Sequence, residues 1–197
     1  YYEYALMAPY FIKDMSPEKK LDVLVLGLGT GTFPKQLKKY IPNVTVDAVE
    51  IDAKIADLAT KYFNLKEEEA NVYINDGRSF FSTSDAKQYD IILADAYQDI
   101  TVPFHMSTRE FFQIVKEHLK PGGILIVNVN MKSGSFTGVP EYLANTVKSL
   151  FNRVYRADLT QVTNSLLFVS DDQNMIENYK NNINAQIKKD HDLYYIS

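Results

Sequence analysis

The 197-residue chain is 46% hydrophobic and 23% charged with net charge −4, the make-up of a globular protein that builds its own core, most simply as one domain. It has no Cys, which excludes disulfides, thiolate nucleophiles and zinc-thiolate sites, and its three separated His show no metal-ligand spacing, so no metal is expected. Its basic residues are scattered rather than striped, so no nucleic-acid partner is expected either.

In chain order, Tyr1 to Ile12 is predicted helical, and residues 1–20 read as a helical lead-in outside the pattern that follows. Leu21 to Gly27 (LDVLVLG) is the first strand, followed by helical periodicity from Phe33 to Tyr40. Val44 to Glu50 is a second strand and Ala53 to Phe63 its helix. Asn71 to Asn75 is a third, with a short helix near Arg78 to Phe81. Tyr89 to Asp95 (YDIILAD) is the fourth, then a loop and a helix from Thr108 to Leu119. Pro121-Gly122-Gly123 is expected to turn the chain into Ile124 to Asn130, an almost wholly apolar run suited to the sheet centre. Glu141 to Phe151 reads as a helix, Val154 to Asp158 and Ser165 to Ser170 as strands near enough for a hairpin, and Asn174 to Lys189 as a final polar helix.

Short β-rich runs alternating with amphipathic helices imply βαβ units. The expected fold is a Rossmann-like, methyltransferase-type α/β domain over residues 21–197. Its seven-stranded sheet is mostly parallel with an antiparallel edge strand, and helices cover both faces. No run reaches the ~18 apolar residues of a membrane span. The chain opens Tyr1-Tyr2-Glu3 without Met or a signal-like region, so it reads as part of a longer protein with a membrane or β-rich domain upstream. The expected location is the cytoplasm, as a free protein or as the cytosolic part of a membrane-attached one.

Gly27-Leu28-Gly29-Thr30-Gly31 lies between a strand and a helix, where glycines let backbone approach a bound nucleotide and the helix start offers N–H groups; a plain tight turn is the competing reading. Glu50 closes the next strand about twenty residues on, where a carboxylate accepts from both ribose hydroxyls. As a surface strand-end residue it is expected to contribute little to stability. Asp52 reads as the N-cap of the next helix. Asp76, before Gly77, reads either as the acceptor of an adenine amine or as another cap. Asp95 ends an apolar strand beside the crevice where open α/β sheets bind ligands, a costly place for a charge without a task. Tyr97 could wall an acceptor pocket or simply pack, and His105 reads as structural rather than as a general base.

Together Val23 to Gly27, Val49-Glu50-Ile51-Asp52, Asp76-Gly77, Tyr89 to Ile92 and Asp95 resemble the spermidine synthase (polyamine aminopropyltransferase) family, from Tyr1 to about Ser170. The resemblance implies that Gly27, Gly29, Thr30, Gly31, Glu50, Ile51, Asp76, Gly77 and Asp95 hold S-adenosylmethionine or its decarboxylated form. It implies that Asp95, with Tyr97, serves catalysis, and that Tyr1, Tyr2 and Gln98 meet the acceptor. It also implies a homodimer. Departures are instructive. Thr30 stands where the family's glycine loop carries an Asp that helps hold the aminopropyl amine, Gln98 replaces a second acidic residue, and Tyr2 replaces a Gln or His. The stretch from Asp95-Ala96-Tyr97 through Val102-Pro103-Phe104-His105-Met106-Ser107-Thr108 to Glu110-Phe111 resembles a divergent bacterial branch. Methyltransferases of this fold usually place an acid two residues before the first glycine, where this chain has Val25.

The leading expectation is aminopropyl transfer to a small-molecule amine acceptor. A methyltransferase acting on a small molecule and a non-catalytic nucleotide-sensing domain are the competing readings.

Overall fold

Alternate residues of the apolar runs go to opposite faces of one sheet, and this builds two cores. The computed structural model describes residues 2–83, 87–96, 103–129, 138–158 and 165–187. Its strands are β1 (Leu21–Leu26), β2 (Val44–Glu50), β3 (Asn71–Ile74), β4 (Tyr89–Ala94), β5 (Leu119–Val129), β6 (Arg153–Asp158) and β7 (Ser165–Ser170). Val23, Val25, Ile91, Leu93, Ile124, Ile126, Leu166 and Phe168 point into one core. Their neighbours Leu24, Leu26, Ile92, Leu125, Val127, Leu167 and Val169 point into the other. A period of two, apolar at both phases, is what a strand covered on both faces requires.

The strand order is β3-β2-β1-β4-β5-β7-β6. β1 to β5 run parallel, and β7 is antiparallel to both β5 and β6. The expected reversed strand is therefore present, set one place in from the edge that β6 occupies. Helices α2 (Thr32–Tyr40) and α3 (Ala53–Phe63) cover one face through Phe33, Leu37, Ala56 and Ala59. Helices α4 (Phe80–Thr83), α5 (Arg109–Glu117) and α6 (Val139–Lys148) cover the other through Phe80, Phe81, Phe111, Phe112, Val115, Leu143 and Val147.

Two expectations are corrected. The lead-in is two short pieces, α1 (Tyr2–Ala5) and a 3-10 turn (Ala8–Phe11), because Pro9 has no N–H to give and its ring clashes with the carbonyl four residues back. Its Ala5, Leu6, Ala8, Phe11 and Ile12 join the core of Val23 and Val25. Helix α7 (Met175–Ile187) holds it there, with Tyr179 stacked on Phe11 at 4.7 Å and Asn182 donating to the carbonyls of Tyr10 and Ile12. The Pro121-Gly122-Gly123 turn lies inside β5: Tyr89 already pairs with Leu119, and the register then slips before Ile91 pairs with Ile124. Gly122, at φ 77°, absorbs the extra residues as a bulge.

At the N-terminal ends of the strands Lys120 Nζ bridges Asp22 at 2.6 Å and Asp90 at 2.7 Å. Desolvation works against the ammonium there, but the two carboxylates outweigh it and hold Lys120 above its ordinary value. Within β2 the buried Asp47 centres a second network, accepting from Lys87, Asn71 and the Tyr89 hydroxyl. Burial first, and then Asp47, push the Tyr89 phenol well above its ordinary range. Among the described residues no helix is long and apolar enough to cross a membrane.

Candidate active site

Strand order reverses between β1 and β4, since β1 leads on to β2 on one side and β4 to β5 on the other. Beyond the strand C-termini this leaves a crevice, and the sequence-predicted residues gather on its rim. Gly27, Gly29 and Gly31 have φ of 98°, 53° and 74°, the left-handed conformation that a tight strand-to-helix loop needs. Gly27 is also sterically fixed, because a Cβ there would lie 2.8 Å from the carbonyl carbon of Asp95 and 3.0 Å from the Cα of Ala96. Backbone ties the end of β1 to both of its neighbours: the Asp95 amide donates to the Leu26 carbonyl and the Gly27 amide to that of Val49, both at 2.9 Å.

Glu50, at the end of β2, is 7% exposed. Its Oε2 accepts from the Gly29 amide at 3.2 Å and its Oε1 from the Asp52 amide at 3.1 Å. The expectation of a surface carboxylate with little structural weight is corrected: the side chain turns inward and pins the glycine loop. A carboxylate has about four lone-pair directions, so each oxygen can still accept one hydroxyl, the pattern a vicinal diol presents. Ile51 beside it is 64% exposed, an apolar side chain open to the crevice end of β2. Asp52 caps α3 as expected, accepting from the Lys54 amide at 2.8 Å.

Asp76 caps the turn that follows it, one of its two expected readings. Its Oδ1 accepts the amides of Arg78 at 3.1 Å and Ser79 at 2.8 Å, while Oδ2 meets His105 Nε2 at 2.8 Å. Partial burial opposes ionisation, yet the Ser79 amide and His105 together hold the carboxyl below its ordinary value. Gly77 lies under Met106, whose Cε would be 2.8 Å from a Cβ there.

Asp95, just past β4, accepts at Oδ1 from Asn128 Nδ2 at 2.6 Å. Asn128 is 3% exposed within β5. Sequence reasoning missed it, although a lone amide inside the run Ile124-Leu125-Ile126-Val127-Asn128-Val129 needs a polar partner, and that was the available signal. Ala94, Ala96, Met106, Phe112 and Val127 line a small apolar hollow beside it. Thr30 and Thr32 share a hydroxyl hydrogen bond of 2.8 Å at the start of α2. The Tyr2 hydroxyl lies 3.9 Å from where a Cβ on Gly29 would stand, which brings the lead-in to the glycine loop. Tyr1, Tyr97 and Gln98 lie outside the described residues. Among the described residues no three His, Asp or Glu converge as a metal site would require.

The arrangement can hold a diol through Glu50 and an amine-bearing base through Asp76. It can also present an oriented carboxylate, Asp95, next to the loop that separates them. The sequence pattern of the spermine/spermidine synthase domain matches residues 11–157. A probable polyamine aminopropyl transferase of Bifidobacterium longum is 44% identical over 172 residues, which are 85% of this chain and 36% of that protein. The crystal structure of a probable spermidine synthase from Corynebacterium glutamicum superposes with TM-score 0.73 at 26% identity, over 87% of this chain and 64% of that one. Human methyltransferase-like protein 13, solved in complex with SAH, shares the fold with TM-score 0.75 at 23% identity, over 92% of this chain and 89% of that one. The chain spans between about a third and a half of the length of the first curated relatives it matches.

Proposed function

Because the chain belongs to the spermine/spermidine synthase domain family, we propose that it binds an adenosyl sulfonium donor and transfers an aminopropyl group to an amine acceptor. One observation carries the proposal: Glu50 and Asp95 stand on either side of Gly27, each carboxylate held by a hydrogen bond from its own neighbour. On this reading Glu50 takes the ribose hydroxyls, Asp76 the adenine amine, and the glycine loop the rest of the nucleoside, with Ile51 against the base. The donor resembles the S-adenosylmethionine class, and a solved spermidine synthase related in fold is bound to the transition-state analogue AdoDATO.

The sulfonium supplies an already activated carbon, so the protein's part is alignment and control of one proton. An amine near its free pKa of about 10 is almost wholly protonated at neutral pH and cannot attack. Asp95 receives the cationic acceptor, orients it, and takes the proton that frees the lone pair. The new C–N bond forms as the C–S bond breaks, and the electron pair stays on sulfur as a neutral thioether. The buried Asn128 amide keeps the Asp95 carboxylate in one orientation during this step. General-base assistance of this kind contributes about 10²–10⁴-fold.

The test is to mix the protein with decarboxylated S-adenosylmethionine and a set of diamines and to follow release of 5′-methylthioadenosine by chromatography. Release that depends on both protein and amine is expected. No release with any amine, together with no calorimetric binding of 5′-methylthioadenosine, overturns the proposal.

A further inference from the structure

The Phe104–Met106 turn is fastened onto the Asp76-Gly77-Arg78 turn at three points. His105 Nε2 meets Asp76 Oδ2 at 2.8 Å. Arg78 Nη1 reaches back to the His105 carbonyl at 2.9 Å and to Thr108 Oγ1 at 3.4 Å. Met106 packs over Gly77. Stability does not explain the His–Asp contact. The two side chains are 47% and 26% exposed, and pairs so open to water contribute little to folding. Its effect is on Asp76 itself. The carboxylate's first oxygen is filled by two backbone amides, and His105 takes one direction on the second, so these bonds leave one acceptor direction, on Oδ2.

We infer that His105 is a positioning residue that makes the Asp76 site selective for a 6-amino purine over a 6-oxo purine; this rests on the nucleotide reading above. An ionised Asp only accepts, so the Nε2 nitrogen that faces it carries hydrogen. That hydrogen fixes the side-chain rotamer and favours the charged carboxylate, so the remaining Oδ2 direction stays an acceptor. Fixed in this way, Asp76 can accept an exocyclic amine but meets the lone pairs of a 6-oxo group head-on. A carboxyl free to turn, or to carry its own proton, could serve either base. Sites that hold a buried or fixed acceptor against a missing donor discriminate steeply, by contrast with sites that only fit shape.

The experiment measures dissociation constants for 5′-methylthioadenosine and 5′-methylthioinosine by calorimetry on the wild-type chain, His105→Ala and His105→Gln. The wild type is expected to prefer the adenine compound by about a hundredfold or more. His105→Ala should reduce that preference at least tenfold with little change in thermal midpoint, and His105→Gln, whose amide still donates, should restore most of it. If the alanine variant does not fold, His105→Leu replaces it. A preference unchanged in the variant lacking the donor, or equal weakening of both ligands, overturns the inference while leaving the nucleotide site standing. A wild-type protein that binds neither ligand overturns the nucleotide site and the inference with it.

Discussion

Asn128 donates to Asp95 across 2.6 Å from a strand where its sequence neighbours Val127 and Val129 are buried and apolar. The bond orients Asp95 rather than contacting a ligand, so its loss should appear in turnover and not in nucleotide affinity. Asn128→Leu, close in volume, is expected to lower kcat by about tenfold or more and to leave the dissociation constant of 5′-methylthioadenosine within about twofold. Asp95→Asn should cost about 10²–10⁴-fold in kcat. Steady-state rates beside calorimetry check both. Unchanged turnover in Asn128→Leu would show that the bond matters only to folding.

Glu50 holds two backbone amides and, on the proposed reading, the ribose diol as well. Glu50→Ala removes the acceptor for two amides and for the diol. It is expected to weaken 5′-methylthioadenosine by about a hundredfold, as the loss of charged hydrogen bonds would, and to lower the thermal midpoint as the glycine loop loosens. Glu50→Gln keeps one oxygen and should fall between. Retained affinity in the alanine variant would remove the ribose assignment.

Gly27 and Gly122 both have positive φ but differ in their surroundings. An Ala at residue 27 would press on the Asp95 backbone, whereas at residue 122 a Cβ meets nothing within 4 Å. Gly27→Ala should therefore cost more than about 3 kcal/mol or abolish folding, and Gly122→Ala only about 1 kcal/mol of backbone strain. Urea unfolding measures the two, and equal costs would contradict the close approach of the loops.

Thr30 bears on donor choice. An acid at that position would pair with the ammonium of a decarboxylated donor and repel the carboxylate of S-adenosylmethionine; a hydroxyl does neither. The wild type should prefer the decarboxylated form by less than about a hundredfold, and Thr30→Asp should raise that preference at least tenfold. Titration of both donors in one buffer decides it, and a steeper preference in the wild type would contradict the role given to Thr30.

Lys120 serves the opposite end of the sheet. Its folded-state value is raised above 10.5, so its contribution is fully present below pH 10.5 and is lost as pH rises through the raised value. Lys120→Met leaves Asp22 and Asp90 facing each other and should lower stability by about 1 kcal/mol near neutrality, a fall of about 2–4 °C in thermal midpoint. The gap between variant and wild type should close as pH rises through that raised value. A gap that persists there would mean that packing of the lysine stem, not its charge, carries the effect.

The strands were legible because runs such as Val23 to Leu26 and Ile91 to Leu93 are apolar at both phases, which a doubly covered strand demands. Glu50, Asp76 and Asp95 were legible because strand ends in this architecture meet at one rim. Local signals failed where partners are distant in sequence. Nothing near Asp76 announces His105, 29 residues on, and nothing near Asp95 announces Asn128, 33 residues on. The Pro121-Gly122-Gly123 segment misled because its turn chemistry is real, yet backbone pairing with Tyr89 begins before it. The inward turn of Glu50 depends on the amides of Gly29 and Asp52 being free to receive it, which is a property of the loop and not of the residue.

The stitch between Gly27 and Asp95 divides the chain's history as well as its sheet. The nucleotide cradle of the proposed reading is complete by Asp76, within β1 to β3, and the His105 turn ties back to it. What is expected to meet the acceptor comes from Asp95, Tyr97 and Gln98, with Tyr1 and Tyr2 of the lead-in. Because Leu26 and Asp95 meet through backbone atoms, side chains after residue 95 that touch neither the Asp76 turn nor the core can change without disturbing the cradle. A lineage built this way can keep one donor and acquire new acceptors, and relatives that share the first half should diverge in the second.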